Sequence, residues 1–502
     1  MRPFHLPYIM LPSNPLQQLA RLSPLPRQSG GLRRGKPVVA VINDTKIDAE
    51  IEVDVLIVGG GAAGLTAALA ANEAGKTVLI AERESRLSGS TALSSGLIPA
   101  AGTKVQVSQS ITDDVDVFYG DIMGKNKNKA DPAHVRRVVS QIPKTIDWLS
   151  EQHKIPFIVL DNFLYPGHSN HRMHAVPEVT GSALIDRLEV AVLAQDITIV
   201  TNLQITDLIV TPSGQALGAR CCRPDGVAET IAAPSIVLAC NGYGGNPDLV
   251  AKHIPEMHDA LYFGHPGNQG EAVLWGQQLG ASIADLSGYQ GHGSVAHPHG
   301  ILITWALMME GGIQVNKDGK RFSNEHQGYS EQAVSVLAQP DRIAFNIIDN
   351  RLRELGRDFE DFRQAEAANV FVEADTIAEL AEKLRIDTTA LTETLAVCEK
   401  VAQGAKEDTF GRRFDKDKLL APPFSAVRVT GALFHTQGGL VINDNAQICR
   451  EDGGVFGSLF ACGGAACGVS GPDVSGYLSG NGLLTALSLG HIAGRAAAGI
   501  SS

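Results

Sequence analysis

The stretch VDVLIVGGGAAGLTAALAANEAGKTVLIAERE, Val53 to Glu84, decides the fold. Val53 to Val58 reads as an apolar, β-branched run, the pattern of a strand buried on both faces. Gly59, Gly61 and Gly64 follow in GxGxxG spacing. Leu65 to Ala74 is alanine-rich and predicts a helix. Gly75 ends it, and Thr77 to Ala81 predicts the next strand. Glu82 closes that strand, with Arg83 after it. Each part has a physical task. Gly59 permits the tight turn, Gly61 lets backbone approach a pyrophosphate, and Gly64 lets helix and strand pack closely. The helix N-terminus offers free N–H groups and a favourable dipole to the phosphates. Glu82 is placed to accept hydrogen bonds from a ribose diol. A strand before the glycines, a helix after them and an acid closing the second strand together predict a dinucleotide site.

Either NAD or FAD satisfies that unit, and later segments decide between them. PSIVLACNGYGGN, Pro234 to Asn246, runs as an apolar strand into Asn241, Gly242, Gly244 and Gly245. GSLFACGG, Gly457 to Gly464, repeats the pattern near the C-terminus. Late returns to one sheet suit a large FAD-binding domain interrupted by an insertion. The expected class is α/β: a Rossmann-like FAD-binding domain of the GR2 type, with an inserted α+β catalytic cap. The boundaries read as 49–285 with 425–502 for the FAD domain and 286–424 for the cap. Asp131 to Leu149 predicts a helix with Pro132 in its first turn. Asn350 to Gln403 reads as mostly helical, Thr388 to Val401 most clearly.

Composition narrows the function. The chain has 502 residues, 44% of them apolar, and its formal charge is 42 − 54 = −12. Such a chain is a poor partner for nucleic acid or an anionic membrane surface. No apolar run is long enough to span a bilayer. Seven cysteines, an odd number with no CxxC pair, predict reduced thiols and a cytoplasmic location. Residues 1–48 are basic and proline-rich, and read as a disordered N-terminal extension, with a targeting peptide as the alternative. The sequence does not decide between monomer and homo-oligomer.

Further motifs follow in a fixed order. They are SGSTALSSG at 88–96, HSNHRMH at 168–174, PGNQGEAVLWGQQLGA at 266–281, GGIQVNKDGKRFSNE at 311–325, HTQGGL at 435–440 and SGNGLLTALSLGHIAG at 479–494. This set resembles the fumarate reductase and succinate dehydrogenase flavoprotein superfamily, which also holds the 3-ketosteroid dehydrogenases. The resemblance covers roughly residues 50–500. It implies FAD, with contacts at Gly59, Gly61, Ala62, Ala63, Gly64, Glu82, Arg83, Ser90, Thr91, Gly96, Asn241, Gly242, Gly463, Ser479 and Leu483. Many relatives carry Glu or Asn where this chain has Gly464.

The departures concern charge. Fumarate-reducing relatives carry a Glu and an Arg after a segment matched here by Leu302-Ile303-Thr304. This chain has Trp305 and Met308 there. The relatives' Arg after RFxNE is Tyr329, in RFSNEHQGYSEQA, and their Arg before the last glycines is Tyr477, in SGYLSGNG. A pocket without cations binds a dicarboxylate poorly, because each carboxylate loses water and gains no partner. The chain resembles the ketosteroid branch instead. That resemblance implies that Tyr477, with the Gly482 N–H, binds a carbonyl oxygen as an oxyanion hole. Tyr329 then takes the α-proton as phenolate. An ordinary phenol titrates near about 10. The resemblance therefore predicts that a hydrogen bond or a positive field lowers Tyr329, or that the enzyme works at alkaline pH. Ser479 and Tyr165 stand as helpers.

The expected reaction is α,β-dehydrogenation of a cyclic ketone, of steroid or cyclohexanone type. Electrons would leave to an external acceptor: a quinone, a flavoprotein or oxygen. Enone reduction is the alternative, and a non-catalytic escort protein on the same fold is a third reading, which the intact glycine motif opposes. His297, Trp305, Met308 and His435 are expected in the substrate pocket. His297 and His299 in HPHG lack a third ligand, so no metal is expected. Arg172 and His174 read as structural, and Lys317 to Arg321 as a solvated hairpin turn.

Overall fold

The strand Val55–Val58 lies at the centre of a six-stranded sheet in the computed structural model, which describes residues 39–500. It pairs in parallel with Val78–Ala81 on one side and with Ser235–Leu238 on the other. Ile197–Val200 extends the sheet beyond the first neighbour, and Val455–Ala461 then Gln447–Cys449 extend it beyond the second. Chain direction along the sheet therefore diverges between Val55–Val58 and Ser235–Leu238. That divergence opens a crevice at the carboxyl ends of the two strands. The first strand delivers Gly59 to the crevice, and the second delivers Asn241 and Gly242. All four residues of Val55–Val58 and of Val78–Ala81 are buried, as their apolar runs require.

A second sheet of five strands includes Ala40–Asn43, which pairs in parallel with Gln204–Val210. The reading of residues 1–48 as a disordered extension is thereby corrected for Ala40–Asn43. AVIN is a β-branched run, and the preceding basic stretch masked it. Residues 1–38 lie outside the described residues.

A third sheet is built around Phe424–Thr436. This 13-residue strand pairs with Tyr289–Ala296, Ala344–Asp349, Phe371–Ala374 and Leu261–Tyr262. Helices Asn350–Gly356, Glu360–Ala367, Ile377–Leu384 and Thr388–Ala402 follow the predicted helical region, interrupted by the short strand Phe371–Ala374. The Lys317–Arg321 segment does turn, with Gly319 at φ +72°. Arg321 is not solvated, however. Its side chain is 5% exposed and bonds Glu325 and Asp408, because two buried carboxylates and the Phe414 ring surround it. Arg172 is fully buried between Asp113 and Asp121, as a structural residue should be. No helix among the described residues is long and apolar enough to cross a membrane.

Two helices pack through backbone. Ala62–Asn72 lies against Asn481–Ala497. A Cβ on Gly490 would meet the Ala63 carbonyl at 2.5 Å, and one on Gly494 the Ala67 carbonyl at 2.1 Å. These contacts advance together along both helices, so the two run parallel. Their N-termini point the same way, and that of Asn481–Ala497 leads by eight residues, about 12 Å at the helical rise. Gly494→Ala should cost about 1–3 kcal/mol through overpacking. An unchanged urea midpoint would show that the helices do not meet so closely.

Candidate active site

At the crevice, the glycine loop forms a cradle with almost no side chain in it. Gly59 has φ +109°, and a Cβ there would strike the Ala239 carbonyl at 2.6 Å. A Cβ on Gly64 would lie 2.0 Å from the Gly59 carbonyl, so only glycine lets the helix start so near the strand. Gly61 is different: its nearest neighbour would be Thr91 Oγ1 at 3.7 Å, so its open side faces the crevice. Ala62 and Ala63 begin the helix, and the Ala62 amide donates to Thr91 Oγ1 (3.3 Å). Glu82 Oε2 accepts from the Gly60 amide (2.8 Å), which places its carboxylate beside the loop. This open amide cradle with an acid alongside fits the pyrophosphate and ribose of FAD.

Around it, Ser90 Oγ accepts from Asn241 Nδ2 (3.0 Å) and Asn268 Nδ2 (2.8 Å). Asn241 holds a left-handed φ of +66°. A Cβ on Gly464 would meet Asn241 Oδ1 at 2.2 Å. The Asn241 amide thus occupies the space that a side chain at 464 would need, which accounts for glycine at that position. Gly463 adopts φ +58°, and a Cβ on Gly242 would collide with Thr436 Oγ1. Gly96 packs against the Thr180 backbone, and Leu483 is buried in the first turn of Asn481–Ala497. Arg83 is committed to the buried Glu271 (2.8 Å).

Tyr329 and Tyr477 converge. Tyr329 opens the helix Tyr329–Leu337, and Tyr477 follows the short turn Val474–Gly476. Their ring centroids lie 6.2 Å apart, and the Tyr329 hydroxyl is 3.0 Å from Ser479 Oγ. The Tyr477 hydroxyl is faced by the amides of Gly480 and Gly482 at the start of the last helix. His435 stands edge-on to Tyr477 at 5.5 Å, with Nε2 against the Gly482 backbone. Trp305 belongs to a buried cluster against which Tyr329 packs, and its indole N–H donates to the Glu325 carbonyl (3.2 Å). Met308 is fully buried in the same cluster, with Ile303, Leu307 and Val336.

His297 does not join them. It is exposed at the end of Tyr289–Ala296, near Arg428 and His299. The histidine at the site is His292, which the sequence reading passed over. His292 stacks on Tyr329 at 4.9 Å and on Phe434 at 5.4 Å, with Trp305 at its edge. Only the pairing of Tyr289–Ala296 with Phe424–Thr436 reveals this, since Phe434 is far away in the chain. Tyr165 also faces Tyr329, from an irregular loop.

Burial controls the electrostatics. It pushes Tyr329 well above the ordinary phenol range, Tyr477 adds to this, and the Ser479 hydrogen bond only partly opposes it. The expected lowering of Tyr329 is therefore absent: a buried phenolate is costly, and none of the principal influences on it is a cation. Burial raises Tyr477 too, against the Gly480 and Gly482 amides. It lowers His435 to about 4 and His292 to about 3, so both imidazoles are neutral at pH 7. Two neutral phenols and two neutral imidazoles therefore meet here.

A family model described as FAD binding domain matches residues 54–483. A probable fumarate reductase of Shewanella frigidimarina (strain NCIMB 400) is 30% identical over 448 residues, which span 88% of this chain and 74% of the relative. The solved open conformation of a flavocytochrome c3 fumarate reductase superposes with a TM-score of 0.77 at 29% identity, over 90% of this chain and 79% of that one. The 3-ketosteroid-delta4-(5alpha)-dehydrogenase from Rhodococcus jostii RHA1, in complex with 4-androstene-3,17-dione, superposes at 0.72 with 22% identity, over 91% and 99%. That second likeness is one of fold. Glu82→Ala should weaken FAD binding by about 1–3 kcal/mol, about fivefold to a hundredfold or more in Kd. Fluorescence titration of the apoprotein measures it, and an unchanged Kd would remove Glu82 from the site.

Proposed function

Since the chain belongs to the FAD-binding family of the fumarate reductases, and is thus a FAD-dependent dehydrogenase or reductase, we propose that it desaturates a cyclic ketone of steroid or cyclohexanone type. The observation that carries this reading is the meeting of Tyr329 and Tyr477, with Ser479 beside the first, the Gly480 and Gly482 amides on the second, and no cation among the principal influences on either. A neutral carbonyl compound binds at such a site without stranding a charge.

The Tyr477 hydroxyl turns from the Gly480 and Gly482 amides to donate to the substrate oxygen. The Gly482 N–H donates beside it, so charge developing on that oxygen meets two fixed donors and the positive end of a helix. Tyr329 removes the α-proton, and Ser479 donates to the phenolate that takes it. Bound FAD supplies the hydride acceptor for the β-carbon, and an external quinone, flavoprotein or oxygen removes the electrons. His292, Phe434 and Trp305 hold the Tyr329 ring in place and exclude water. The sheet built around Phe424–Thr436, with the helices between residues 350 and 402, acts as the cap over this site.

One observation favours a second reading. A phenol held protonated by burial is a proton donor, so Tyr329 also suits reduction of an enone, with every step reversed.

The pH profile separates the two. Dehydrogenation needs the Tyr329 phenolate, whose folded-state pKa is raised, so its rate should climb through alkaline pH. Enone reduction needs the phenol, so it should stay flat through neutrality and fall only at high pH. Tyr329→Phe should lower ketone turnover by about 10²–10⁴-fold, and Tyr477→Phe by about 10²–10³-fold. Both are measured by anaerobic bleaching of the flavin band with cyclohexanone and 4-androstene-3,17-dione. Full turnover in either variant would end the proposal.

A further inference from the structure

The two tyrosine-bearing segments are far apart in sequence, yet both are anchored to one turn. The helix Val115–Lys125 ends in that turn, where Lys127 and Asn128 both adopt left-handed φ, at +56° and +58°. Lys125 reaches to one side. Its Nζ donates to the Gln327 carbonyl (3.1 Å) and to Glu331 Oε1 (2.5 Å). These partners flank Tyr329 by two residues on either side. Gly328 between them has φ +139°, and a Cβ there would sit 2.5 Å from Glu331 Oε2 and 3.2 Å from Lys125 Nζ. Asn126 and Lys129 reach to the other side. The buried Asn126 donates to the Val469 carbonyl (3.1 Å), and a Cβ on Gly476 would touch the Asn126 Cβ at 3.0 Å. Lys129 pairs with Asp473, just before the turn Val474–Gly476 that presents Tyr477.

We infer that the turn Lys125–Lys129 fixes the spacing of the two phenols, with Lys125 as a positioning residue for Tyr329. The inference deepens the reading of the site as a two-tyrosine centre and rests on it only for the rate effect. Lys125 touches neither phenol. Its three donors tie together a carbonyl and a carboxylate that would otherwise let the first turn of Tyr329–Leu337 shift. The Lys125 and Glu331 side chains are only 18% and 19% exposed, so water competes weakly for that pair. A displacement of about 1 Å at a reacting group costs up to about a hundredfold in rate.

The test uses the FAD-loaded full chain with its tyrosines replaced by 3-fluorotyrosine, and the Tyr329 resonance assigned by Tyr329→Phe. Lys125→Met should shift or broaden the Tyr329 fluorine signal, leave those of Tyr243 and Tyr262 in place, and keep FAD content equal. Lys125→Arg should restore the signal. With cyclohexanone, Lys125→Met should lower kcat by about tenfold to a hundredfold, with KM within about twofold. An unmoved Tyr329 signal, or loss of FAD in both variants, overturns the inference. A wild type that oxidises no ketone overturns the proposed reaction alone, since the fluorine readout needs no turnover.

Discussion

Contact between two helices at bare backbone sets the geometry on which the site depends. Gly490 and Gly494 bring Asn481–Ala497 onto Ala63 and Ala67 with no side chain between. The first helix carries the phosphate cradle at its N-terminus, and the last carries Gly480 and Gly482 at its own. Because the helices are parallel and offset by about two turns, two positive dipole ends face one side at different depths. One fits a pyrophosphate. In the proposed reading, the other faces the oxygen of the compound held against Tyr477. The distance between cofactor tail and reacting atom is thus written into a helix–helix register, and a substitution that slides that register moves both ends at once.

Electrostatics at the reacting end follow from what is missing around the tyrosines. Burial dominates every titratable group there, and the groups that would offset it are dipoles: the Ser479 hydroxyl and the Gly480 and Gly482 amides. Dipoles can support a charge that develops briefly on a substrate oxygen, but they do not hold a full negative charge on Tyr329 at rest. A guanidinium at either position would reverse that balance and admit carboxylates. Buried and half-buried cations elsewhere in the fold are engaged: Arg172 with Asp113 and Asp121, Arg412 with Glu325 and two carbonyls, Lys125 with Glu331.

Local patterns made the FAD half of the fold legible. Strand, glycines, helix and acid lie within Val53–Glu84, and each residue's task depends on its neighbours in the chain. The substrate half depends on contacts between distant segments. Tyr329 and Tyr477 stood out because arginines were expected there. His292 carried no such contrast, and its place under Tyr329 needs the long strand Phe424–Thr436 to bring Phe434 alongside. His297 stands in a proline-flanked loop, where the strand has ended and the chain turns into solvent. Arg321 looked solvated because Asp408, one of its two carboxylate partners, lies 87 residues away. Side-chain pK values were the least legible of all, since desolvation is a property of the whole enclosure.

Those buried phenols bear on direction as well as on substrate. A catalytic group serves both directions of a reversible step, as base one way and acid the other, and its protonation at rest decides which way needs no prior ionisation. Tyr329 rests as the acid. Reduction would therefore begin from the resting state, whereas dehydrogenation must first pass the proton from Tyr329 to solvent, with Ser479 as its hydrogen-bonded neighbour. The free-energy gap between these starts grows by about 1.4 kcal/mol for each unit by which Tyr329 lies above ambient pH. An electron acceptor that keeps the flavin oxidised can outweigh that gap, and a strong reductant would add to it. Under the proposed reading, the redox partner outside the site sets the direction of flow, while the site takes a neutral carbonyl compound in either direction.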